Sequence, residues 1–537
     1  MRRLIAVALL LLLTSCGSAP PVIDPVQEAA DIPPEPRLVV LIVLDQLASW
    51  VFARYLPHLP EDGLLRRIAE EGAVHHVDYP YAATATAAGH ASIITGRAPY
   101  EHGVMANTYW NGTAEVASVD DGEHGVLGAD GKHVSPTVLR TPAVTDLLHE
   151  RTEGAAEIVS LSYKDRGAAL TGGRHADLVL FYVPNVEGFT TSSYYGDSLP
   201  SWFSSWNDAN PVRDRITPWQ VGDTSWFPPF LGEDAQEGEG GYHGLDNTFP
   251  HDPGETERPF HVFRTTPHAT DYLIDLARQA VSERNMGADS VLDFLSISVS
   301  GTDYVGHFFG PMSWEYADNL RRTDLQLAAF VRELEARGPV SVIVTSDHGV
   351  AALPERARNE GIPAGRLFRR TVIDAAEAAA VEILGRGEWV EAFAPPFLYL
   401  TPAAEERRDE VVLPIAQALT ELEQVHGAYD VAQAATLRGS PDPIEVAAGL
   451  SIHESAPGQL FVVPAEHQVP ELTDLPGTGT SHGTPWSYDR RVPCLLLGPN
   501  IHGTVTMEVG DQRRVGSTIA ALLGLPPPDP AYPALPF

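Results

Sequence analysis

The stretch RLVVLIVLD, from Arg37 to Asp45, is a run of apolar residues between an arginine and an aspartate. A short apolar run with polar ends is typical of a β-strand that is buried on both faces. Similar runs occur at 157–162, 177–183, 291–300 and 339–347, and helical patterns at 144–152, 270–283 and 314–338 separate or follow them. This alternation predicts an α/β fold, a mainly parallel central sheet with helices on both faces.

The N-terminus, MRRLIAVALLLLLTSC, has two arginines before an apolar run. That run has the length of a signal-peptide core and is too short to span a bilayer. Its end, Leu13 to Cys16, resembles the bacterial lipobox, so we expect a lipoprotein signal peptide at 1–16 with lipidation of Cys16. The alternative is an ordinary signal peptide with an incidental cysteine. Residues 17–36 are expected to form a flexible tether, and residues 37–537 the folded domain.

These features predict a lipoprotein on the periplasmic side of a bacterial membrane. Gly17, rather than aspartate, follows Cys16, which favours the outer membrane. Cys494 is the second of two cysteines, and its apolar surroundings, VPCLLLG, predict a small core residue. We therefore expect no disulfide within the exported domain. The net charge of −35 argues against a nucleic-acid-binding surface.

Two stretches interrupt the alternating pattern. Residues from about 186 to 262 are rich in Trp, Tyr, Pro and Gly and include Trp202, Trp206, Trp219 and Trp226. We interpret them as an insertion near the functional site, which either shapes a pocket for an organic group or is a packed cap without ligand contact. Residues from about 352 to 480 mix helices with loops and are expected to add strands and helices beside the sheet.

Aspartates and histidines follow the predicted strands. In open α/β sheets, ligands bind beyond the carboxyl ends of the strands. Taken alone, an aspartate after a strand commonly caps a helix, and two residues four apart can form a surface pair. Together, these side chains are suitable ligands for borderline metals such as Zn²⁺ and are numerous enough for two ions. They are Asp45, Asp303, His307, Asp347, His348 and His482.

A second candidate lies in YAATATAAGHASIITG, where small residues surround Thr86. The apolar pattern after it predicts a helix that begins at Thr86, and a helix N-terminus favours an anion. The hydroxyl of Thr86 is either a simple helix cap or a nucleophile whose pKa is lowered by a metal. Thr84 is the competing candidate for the same role.

The stretch VSLSYKDRGAALTGG, from Val159 to Gly173, brings two cations close together. At strand spacing, Lys164 and Arg166 would point to one side and Asp165 to the other. Neighbouring like charges repel, so either water screens them or an anion lies between them. Asp165 is expected to be a local structural partner, and a solvated pair near a strand end is the alternative for the two cations.

These motifs together resemble the alkaline phosphatase superfamily, in the branch of PafA-like alkaline phosphatases that shares the type I phosphodiesterase/nucleotide pyrophosphatase core. The pattern D…T-x-x-x-H-x-S-x-x-T-G…H-G…N is followed by D-x-x-x-H, D-H-G and S-H-G elements, and the matches extend from Asp45 to about residue 500. The residues of the first pattern are Asp45, Thr86, His90, Ser92, Thr95, Gly96, His102, Gly103 and Asn107.

The resemblance implies two Zn²⁺ ions. One would be held by Asp45, Asp347 and His348 and would also bind the oxygen of Thr86. The second would be held by Asp303, His307 and His482. Thr86 would form a phosphothreonine intermediate. His90 and His102 fit the motif but are expected to be structural.

The resemblance further implies that Asn107 donates to a phosphoryl oxygen and that Lys164 and Arg166 contact the same group. A phosphate monoester carries more negative charge than a diester, so added cations favour monoester hydrolysis. We therefore expect an alkaline phosphatase acting on small phosphate monoesters. A phosphodiesterase on the same core and a catalytically silent binding lipoprotein are the alternatives. Sulfatases are excluded because no C/S-x-P-x-R element occurs around Thr86. Cofactor-independent phosphoglycerate mutases do not fit because they use a serine nucleophile and are cytosolic.

Overall fold

The apolar run at Arg37 to Asp45 forms the middle strand of a large sheet. The computed structural model describes residues 35–471 and 477–537, so the predicted signal peptide, Cys16 and most of the tether lie outside the described residues. In chain order, the strands β1–β19 span Leu38–Leu44, Ala73–Asp78, Thr108–Trp110, Glu115–Ala117, Gly125–Val126, Ala129–His133, Ile158–Ser162, Leu178–Val183, Gly188–Thr190, Asp293–Val299, Val340–Thr345, Gly365–Leu367, Val390–Ala394, Phe397–Leu400, Val425–Asp430, Leu460–Pro464, Gln468–Pro470, Arg491–Leu497 and Thr504–Asp511.

Helices follow most of the strands in the main sheet. In chain order, the helices α1–α19 span Ser49–Tyr55, Leu64–Glu71, Thr86–Thr95, Pro99–His102, Val144–Thr152, Asp165–Gly172, Ser201–Ala209, Pro259–Val262, Pro267–Glu283, Gly301–Phe309, Trp314–Glu335, Pro354–Asn359, Arg369–Leu384, Pro402–Glu405, Arg408–Thr420, Ala434–Leu437, Pro443–Ser451, Ser487–Arg490 and Arg513–Leu522.

The main sheet is mainly parallel, as the sequence predicts. Within the described residues it has nine strands in the order β19-β2-β18-β11-β1-β10-β7-β8-β9. β1 pairs in parallel with both β10 and β11, and β7 pairs in parallel with β10 and β8. β18 and β9 pair antiparallel with their neighbours. The α/β prediction is therefore confirmed, with two strands reversed.

Both faces of β1 are buried because helices cover both sides of the sheet. Val39, Leu41 and Val43 pack in one hydrophobic cluster with residues of α3, α6 and α19. The alternate residues of β1, from Leu38 to Leu44, pack in a second cluster with α9 and α11. The two-residue period of a strand thus explains why its sequence is apolar throughout rather than alternating.

The two interrupted stretches have different structures. Between 186 and 262, helices are short, and Trp219 is fully buried, with its indole N–H donating to Asp318 Oδ2 at 2.7 Å. The second stretch contains a four-stranded sheet, β13-β14-β16-β15, with α13 and α15 packed in its core cluster. This stretch therefore contains strands as well as helices, and its sheet is separate from the main sheet.

Two further features concern Cys494 and the helices. Cys494 lies on β18, is fully buried, and has a pKa raised to about 12 by burial, so its core assignment is confirmed. None of the helices in 35–471 and 477–537 combines the length and apolar character that crossing a membrane requires.

Candidate active site

The candidate metal ligands meet at one edge of the main sheet because its parallel strands end there. Asp45 follows β1, Asp347 and His348 follow β11, and α10, which begins just after β10, carries Asp303 and His307. His482 reaches the same place from a loop before α18. We call these six residues the ligand cluster: Asp45, Asp303, His307, Asp347, His348 and His482.

The three histidines of the ligand cluster are oriented by backbone carbonyls. His307 Nδ1 lies 2.8 Å from the Thr480 oxygen. His348 Nδ1 lies 2.9 Å from the Gly349 oxygen, and His482 Nδ1 lies 2.7 Å from the Thr84 oxygen. Each Nδ1–H therefore donates to a carbonyl, which leaves the Nε2 lone pair directed into the cluster. This is the arrangement that metal-binding histidines commonly adopt.

The three carboxylates of the ligand cluster are buried around a single ammonium group, that of Lys164. Asp45 Oδ1 and Asp347 Oδ2 are buried and accept no hydrogen bond from the described residues. Burial and the neighbouring carboxylates of Asp303 and Asp347 raise the pKa of Asp45 well above its usual range. Against burial, His307 and Lys164 hold the pKa of Asp303 well below its usual range. Three buried carboxylates beside one ammonium group are a suitable environment for further cations.

The geometry fits divalent metals. Asp303, His307 and His482 form one group with donor atoms close enough to share an ion, the same set that the family resemblance implies for one ion. A second group contains Asp45 and His348 but has Asp303 in place of the expected Asp347. Asp347 Oδ2 still lies 3.5 Å from His348 Nε2, the same distance as Asp45 Oδ1. The mixed nitrogen and oxygen donors are those that Zn²⁺ prefers.

Thr86 lies at the ligand cluster and at the start of α3, as the sequence predicts. Its Oγ1 is 3.4 Å from His348 Nε2 and 3.2 Å from Lys164 Nζ. The hydroxyl of the competing Thr84 instead donates to the Thr484 carbonyl at 3.0 Å. The geometry therefore favours Thr86 over Thr84 as the reactive hydroxyl.

Lys164 and Arg166 converge near Thr86, but not for the expected reason. Strand β7 ends at Ser162, Lys164 precedes α6 and Arg166 is the second residue of that helix, so strand alternation does not apply. The strand-spacing argument is therefore wrong. The turn from strand to helix instead brings Lys164 to Thr86 and Arg166 to Asn107. Asp165 pairs with Lys132 at 2.7 Å and accepts from the Arg166 amide, which is a local structural role.

Lys164 and Arg166, which we call the cation pair, have different partners. Lys164 is buried and its Nζ lies 2.6 Å from both Asp45 Oδ2 and Asp303 Oδ2. Burial opposes its charge, but Asp303 and Asp45 outweigh burial and raise the pKa of Lys164 above its usual range. Arg166 is partly exposed, and its Nε donates to Asn107 Oδ1 at 3.2 Å. The cation pair thus extends from the ligand cluster to solvent.

The side-chain amide of Asn107 is held through its oxygen, which leaves its Nδ2 group able to donate. Its Oδ1 accepts hydrogen bonds from the Ala87 amide at 2.9 Å and from Arg166 Nε. The Nδ2 group can therefore donate to a ligand next to Thr86, which is the direction that the family resemblance implies.

His90 and His102 have structural partners. His90 Nδ1 donates to the Thr86 carbonyl at 2.8 Å, and its Nε2 is hydrogen-bonded to the Ser298 hydroxyl at 2.8 Å. His102 Nε2 donates to Ser92 Oγ at 3.0 Å, and burial lowers its pKa to about 3. His90 also lies 3.3 Å from Asp347 Oδ2, so it supports the ligand cluster from outside.

Gln46 was not identified from the sequence. It has a positive φ of 70°, and this backbone conformation lets its amide N–H donate to Asp347 Oδ1 at 3.2 Å. Its side-chain Nε2 donates to Asp303 Oδ1 at 2.8 Å. Gln46 therefore links two carboxylates from different strands. Its position beside Asp45 was the only signal available, and a glutamine after a strand indicates no particular chemistry.

A cavity of about 210 Å³ adjoins the site on the side of Asn107, His307 and His482. The second interrupted stretch supplies much of its wall, including Leu367, Phe393 and Val462. None of the four tryptophans of the first stretch is among the described residues that line this cavity.

Three of those tryptophans pack within the protein. Trp219 is buried against Asp318, Trp206 contacts Tyr272 and Trp226 lies under Arg321. For these side chains, the structure favours packing over formation of a ligand pocket.

Comparisons with known proteins give the same family as the motifs. The family model described as type I phosphodiesterase / nucleotide pyrophosphatase matches residues 39–485. Alkaline phosphatase PhoV from Synechococcus elongatus is 27% identical over 92% of this chain and 91% of its own length. Alkaline phosphatase PafA from Elizabethkingia meningoseptica is 26% identical over 91% and 92%, respectively.

Solved structures give the same relationship. A crystal structure of wild-type alkaline phosphatase PafA has a TM-score of 0.84 and 25% identity, and covers 94% of this chain and 99% of that one. A PafA variant with a threonine replaced by serine, and an asparagine, a lysine and an arginine replaced by alanine, has a TM-score of 0.82 and 25% identity. It covers 92% of this chain and 97% of that one. The resemblance found in the motifs is confirmed, and the chain belongs to the type I phosphodiesterase / nucleotide pyrophosphatase family.

Proposed function

We propose that this protein is an alkaline phosphatase that hydrolyses phosphate monoesters to an alcohol and inorganic phosphate. The observation that carries the proposal is the position of the Thr86 hydroxyl, within 3.4 Å of both His348 Nε2 and Lys164 Nζ. A reactive hydroxyl, candidate metal ligands and a buried cation thus lie at one point. The alkaline phosphatases among its relatives support the same class of reaction.

The proposed metals are two Zn²⁺ ions. Asp303, His307 and His482 would hold one, and Asp45, Asp347 and His348 would hold the other together with the Thr86 oxygen. When bound, such ions would supply Lewis-acid stabilisation for the charge that develops during phosphoryl transfer. The support is the set of Nε2 lone pairs and buried carboxylate oxygens directed into the ligand cluster.

In the first proposed step, the Thr86 oxygen forms a bond to phosphorus while the bond from phosphorus to the ester oxygen breaks. The Thr86 proton is released to solvent, and the departing alcohol keeps the bond electrons and gains a proton from solvent. Water then attacks the phosphothreonine, releasing phosphate and restoring the hydroxyl. Lys164 Nζ lies close enough to Thr86 to stabilise negative charge on its oxygen in both steps.

Preference for monoesters follows from the groups around Thr86. Two cations and the Asn107 Nδ2 group can face the same phosphoryl oxygens, and a monoester has one more charged oxygen for them to bind than a diester. In a diester, an organic group covers that oxygen, so Arg166 would lose its partner. The substituted residue types in the PafA variant, one threonine, one asparagine, one lysine and one arginine, are those proposed here as Thr86, Asn107, Lys164 and Arg166.

We test the nucleophile with Thr86→Ala and Thr84→Ala. Thr86→Ala is expected to lower kcat for 4-nitrophenyl phosphate by at least about a thousandfold while the protein retains its bound metal. Thr84→Ala is the matched control and should keep most activity, because its hydroxyl donates to the Thr484 carbonyl. Mass spectrometry after acid quench should find phosphate on Thr86. Full activity in Thr86→Ala would overturn the proposal.

Export and anchoring are proposed from the sequence of residues 1–16. We propose cleavage before Cys16, lipidation of Cys16 and sorting to the outer membrane on its periplasmic side, with membrane contact only through the lipid. Residues 186–262 and 352–480 are proposed insertions in a catalytic domain of 37–537. Cys16→Ala should release the protein from the membrane fraction and abolish incorporation of labelled fatty acid. Retention of both would contradict lipidation.

A further inference from the structure

The cavity beside the site has an apolar wall. Leu367, Phe393 and Val462 line it and are each 5% exposed or less. Met105 and several prolines complete the lining. The cavity is continuous with the site, because Asn107, His307 and His482 belong to its lining as well. A group attached to a phosphoryl group at Thr86 can therefore extend into this cavity.

Two charged residues of the cavity lining, Arg369 and Glu471, have partners within the protein. Arg369 forms an ion pair with Glu115. Its backbone N–H donates to Glu471 Oε2 at 3.1 Å. Glu115, which is not part of the described lining, balances the charge of Arg369. The Glu471 carboxylate forms no ion pair with a described residue, so its negative charge disfavours an anionic group at this wall. The position and charge of the wall thus favour a neutral apolar group.

We propose that this cavity binds the organic group of the substrate and that the enzyme prefers monoesters of neutral, aromatic-sized alcohols. This inference rests on the proposed function and names its substrate class. Leu367 and Val462 are specificity-determining residues because their side chains contact the organic group. Glu471 selects against substrates that carry a second negative charge on that group.

The experiment compares 2-phenylethyl phosphate with ethyl phosphate. Both are esters of primary alcohols with similar leaving groups, so the ratio of their kcat/KM values reports contact with the phenyl ring rather than chemical reactivity. The wild-type ratio is expected to be at least about ten, since burial of an apolar group in a fitted pocket gives discrimination of this order. A ratio near one would overturn the inference.

Leu367→Ala tests the wall, with Leu400→Ala as the matched control. Both leucines are buried in the same hydrophobic cluster, but Leu400 does not line the cavity. Leu367→Ala should lower the ratio about fivefold through lost contact area, whereas Leu400→Ala should leave the ratio unchanged. An equal decrease in both variants would show a general packing effect and would contradict the assignment.

Glu471→Gln tests the charge, with Glu466→Gln as the control at an exposed position outside the cavity lining. The probe is 2-(4-carboxyphenyl)ethyl phosphate, compared with 2-phenylethyl phosphate. Glu471→Gln should raise relative turnover of the carboxylated substrate about threefold, and Glu466→Gln should not. If the relative turnover of the carboxylated substrate is unchanged in Glu471→Gln, the proposed selection by charge is wrong.

These outcomes separate the inference from the proposed function. Equal turnover of ethyl and 2-phenylethyl phosphate would overturn the cavity assignment and leave the phosphatase intact. Hydrolysis of neither monoester by a protein that cleaves diesters would overturn both.

Discussion

The ligand cluster and the cation pair lie side by side but are held in different ways. The histidines of the cluster are oriented by backbone carbonyls, and two of its aspartates, Asp45 and Asp347, follow strands of the main sheet. Arg166, in contrast, is partly exposed and is held through the Asn107 side chain. The ligand cluster is suited to binding the metal ions that hydrolysis of any phosphate ester would need. Arg166, the exposed member of the cation pair, is suited to distinguishing monoesters from diesters.

Lys164 connects these two parts of the site. Its ammonium group contacts Asp45 and Asp303 of the ligand cluster as well as Thr86. Its removal must therefore affect the cluster and the phosphoryl contacts together. Among the described residues, Arg166 contacts Asn107 and Asp165 rather than the ligand cluster, so it gives the cleaner test of ester preference.

The largest effect is expected for Asp303→Ala. Asp303 belongs to both candidate metal groups, so its loss should lower kcat/KM for monoesters and diesters alike by at least about a thousandfold. Metal content by atomic emission should fall in parallel. Asp318→Ala is the control, since Asp318 accepts from Trp219 and lies outside both groups. A loss of activity on only one ester class would contradict the idea that the ligand cluster serves monoesters and diesters alike.

Lys164→Ala should have the next largest effect. We expect kcat/KM for monoesters to fall about a hundredfold and that for diesters to fall less, because a diester has fewer oxygens to stabilise. Steady-state kinetics with both ester classes measure the two losses. Metal content should be measured in the same samples, since Lys164 also neutralises Asp45 and Asp303. Equal losses with unchanged metal content would contradict a phosphoryl contact.

Gly89→Ala tests how closely Thr86 must approach the ligand cluster. A Cβ at Gly89 would lie 2.1 Å from the Asp347 backbone oxygen, so α3, which begins with Thr86, must move away. We expect kcat to fall about tenfold to a hundredfold for both ester classes, because small displacements of a reacting group are costly. Ala88→Gly is a control on the same helix. Unchanged kcat in Gly89→Ala would show that this approach is not required.

Asp324→Asn tests a buried carboxylate that has no role in the site. Burial raises the pKa of Asp324 to about 7 from its usual value of 3.8. The folded protein thus binds this proton more tightly than the unfolded chain does. The stability from this group is complete below about pH 4 and is lost as the pH rises through about 7.

Asp324→Asn should therefore stabilise the protein more at pH 8.5 than at pH 5, by about 2–3 kcal/mol in the free energy of unfolding. Urea unfolding at the two pH values gives this difference. Kinetic constants should not change. A pH-independent effect on stability would contradict the raised pKa.

Much of the fold and of the ligand cluster could be predicted from sequence, because parallel strands end at one edge of a sheet. Asp45 and Asp347 each follow an apolar run, so their meeting required only the order of the strands. The convergence of Lys164 and Arg166 was predicted, but from the wrong geometry, because strand spacing was extended past the run at 157–162 and the start of α6 at Asp165 was missed.

The contacts between distant segments could not be predicted. Gln46 contacts Asp303 through a positive φ, which a glutamine rarely adopts and no local pattern indicates. The cavity wall joins Met105, Leu367 and Val462, which are far apart in the chain and individually resemble ordinary core residues. The aromatic composition of residues 186–262 suggested a pocket, but three of its tryptophans pack within the protein.

The most direct test compares 4-nitrophenyl phosphate with methyl 4-nitrophenyl phosphate in the wild type and in Arg166→Ala. The leaving group is the same, so the ratio of kcat/KM values reports only the charge on the phosphoryl group. We expect the wild type to prefer the monoester, and Arg166→Ala to lose at least about tenfold on the monoester and less than about threefold on the diester. A wild-type preference for the diester, or equal losses on both substrates, would contradict the account.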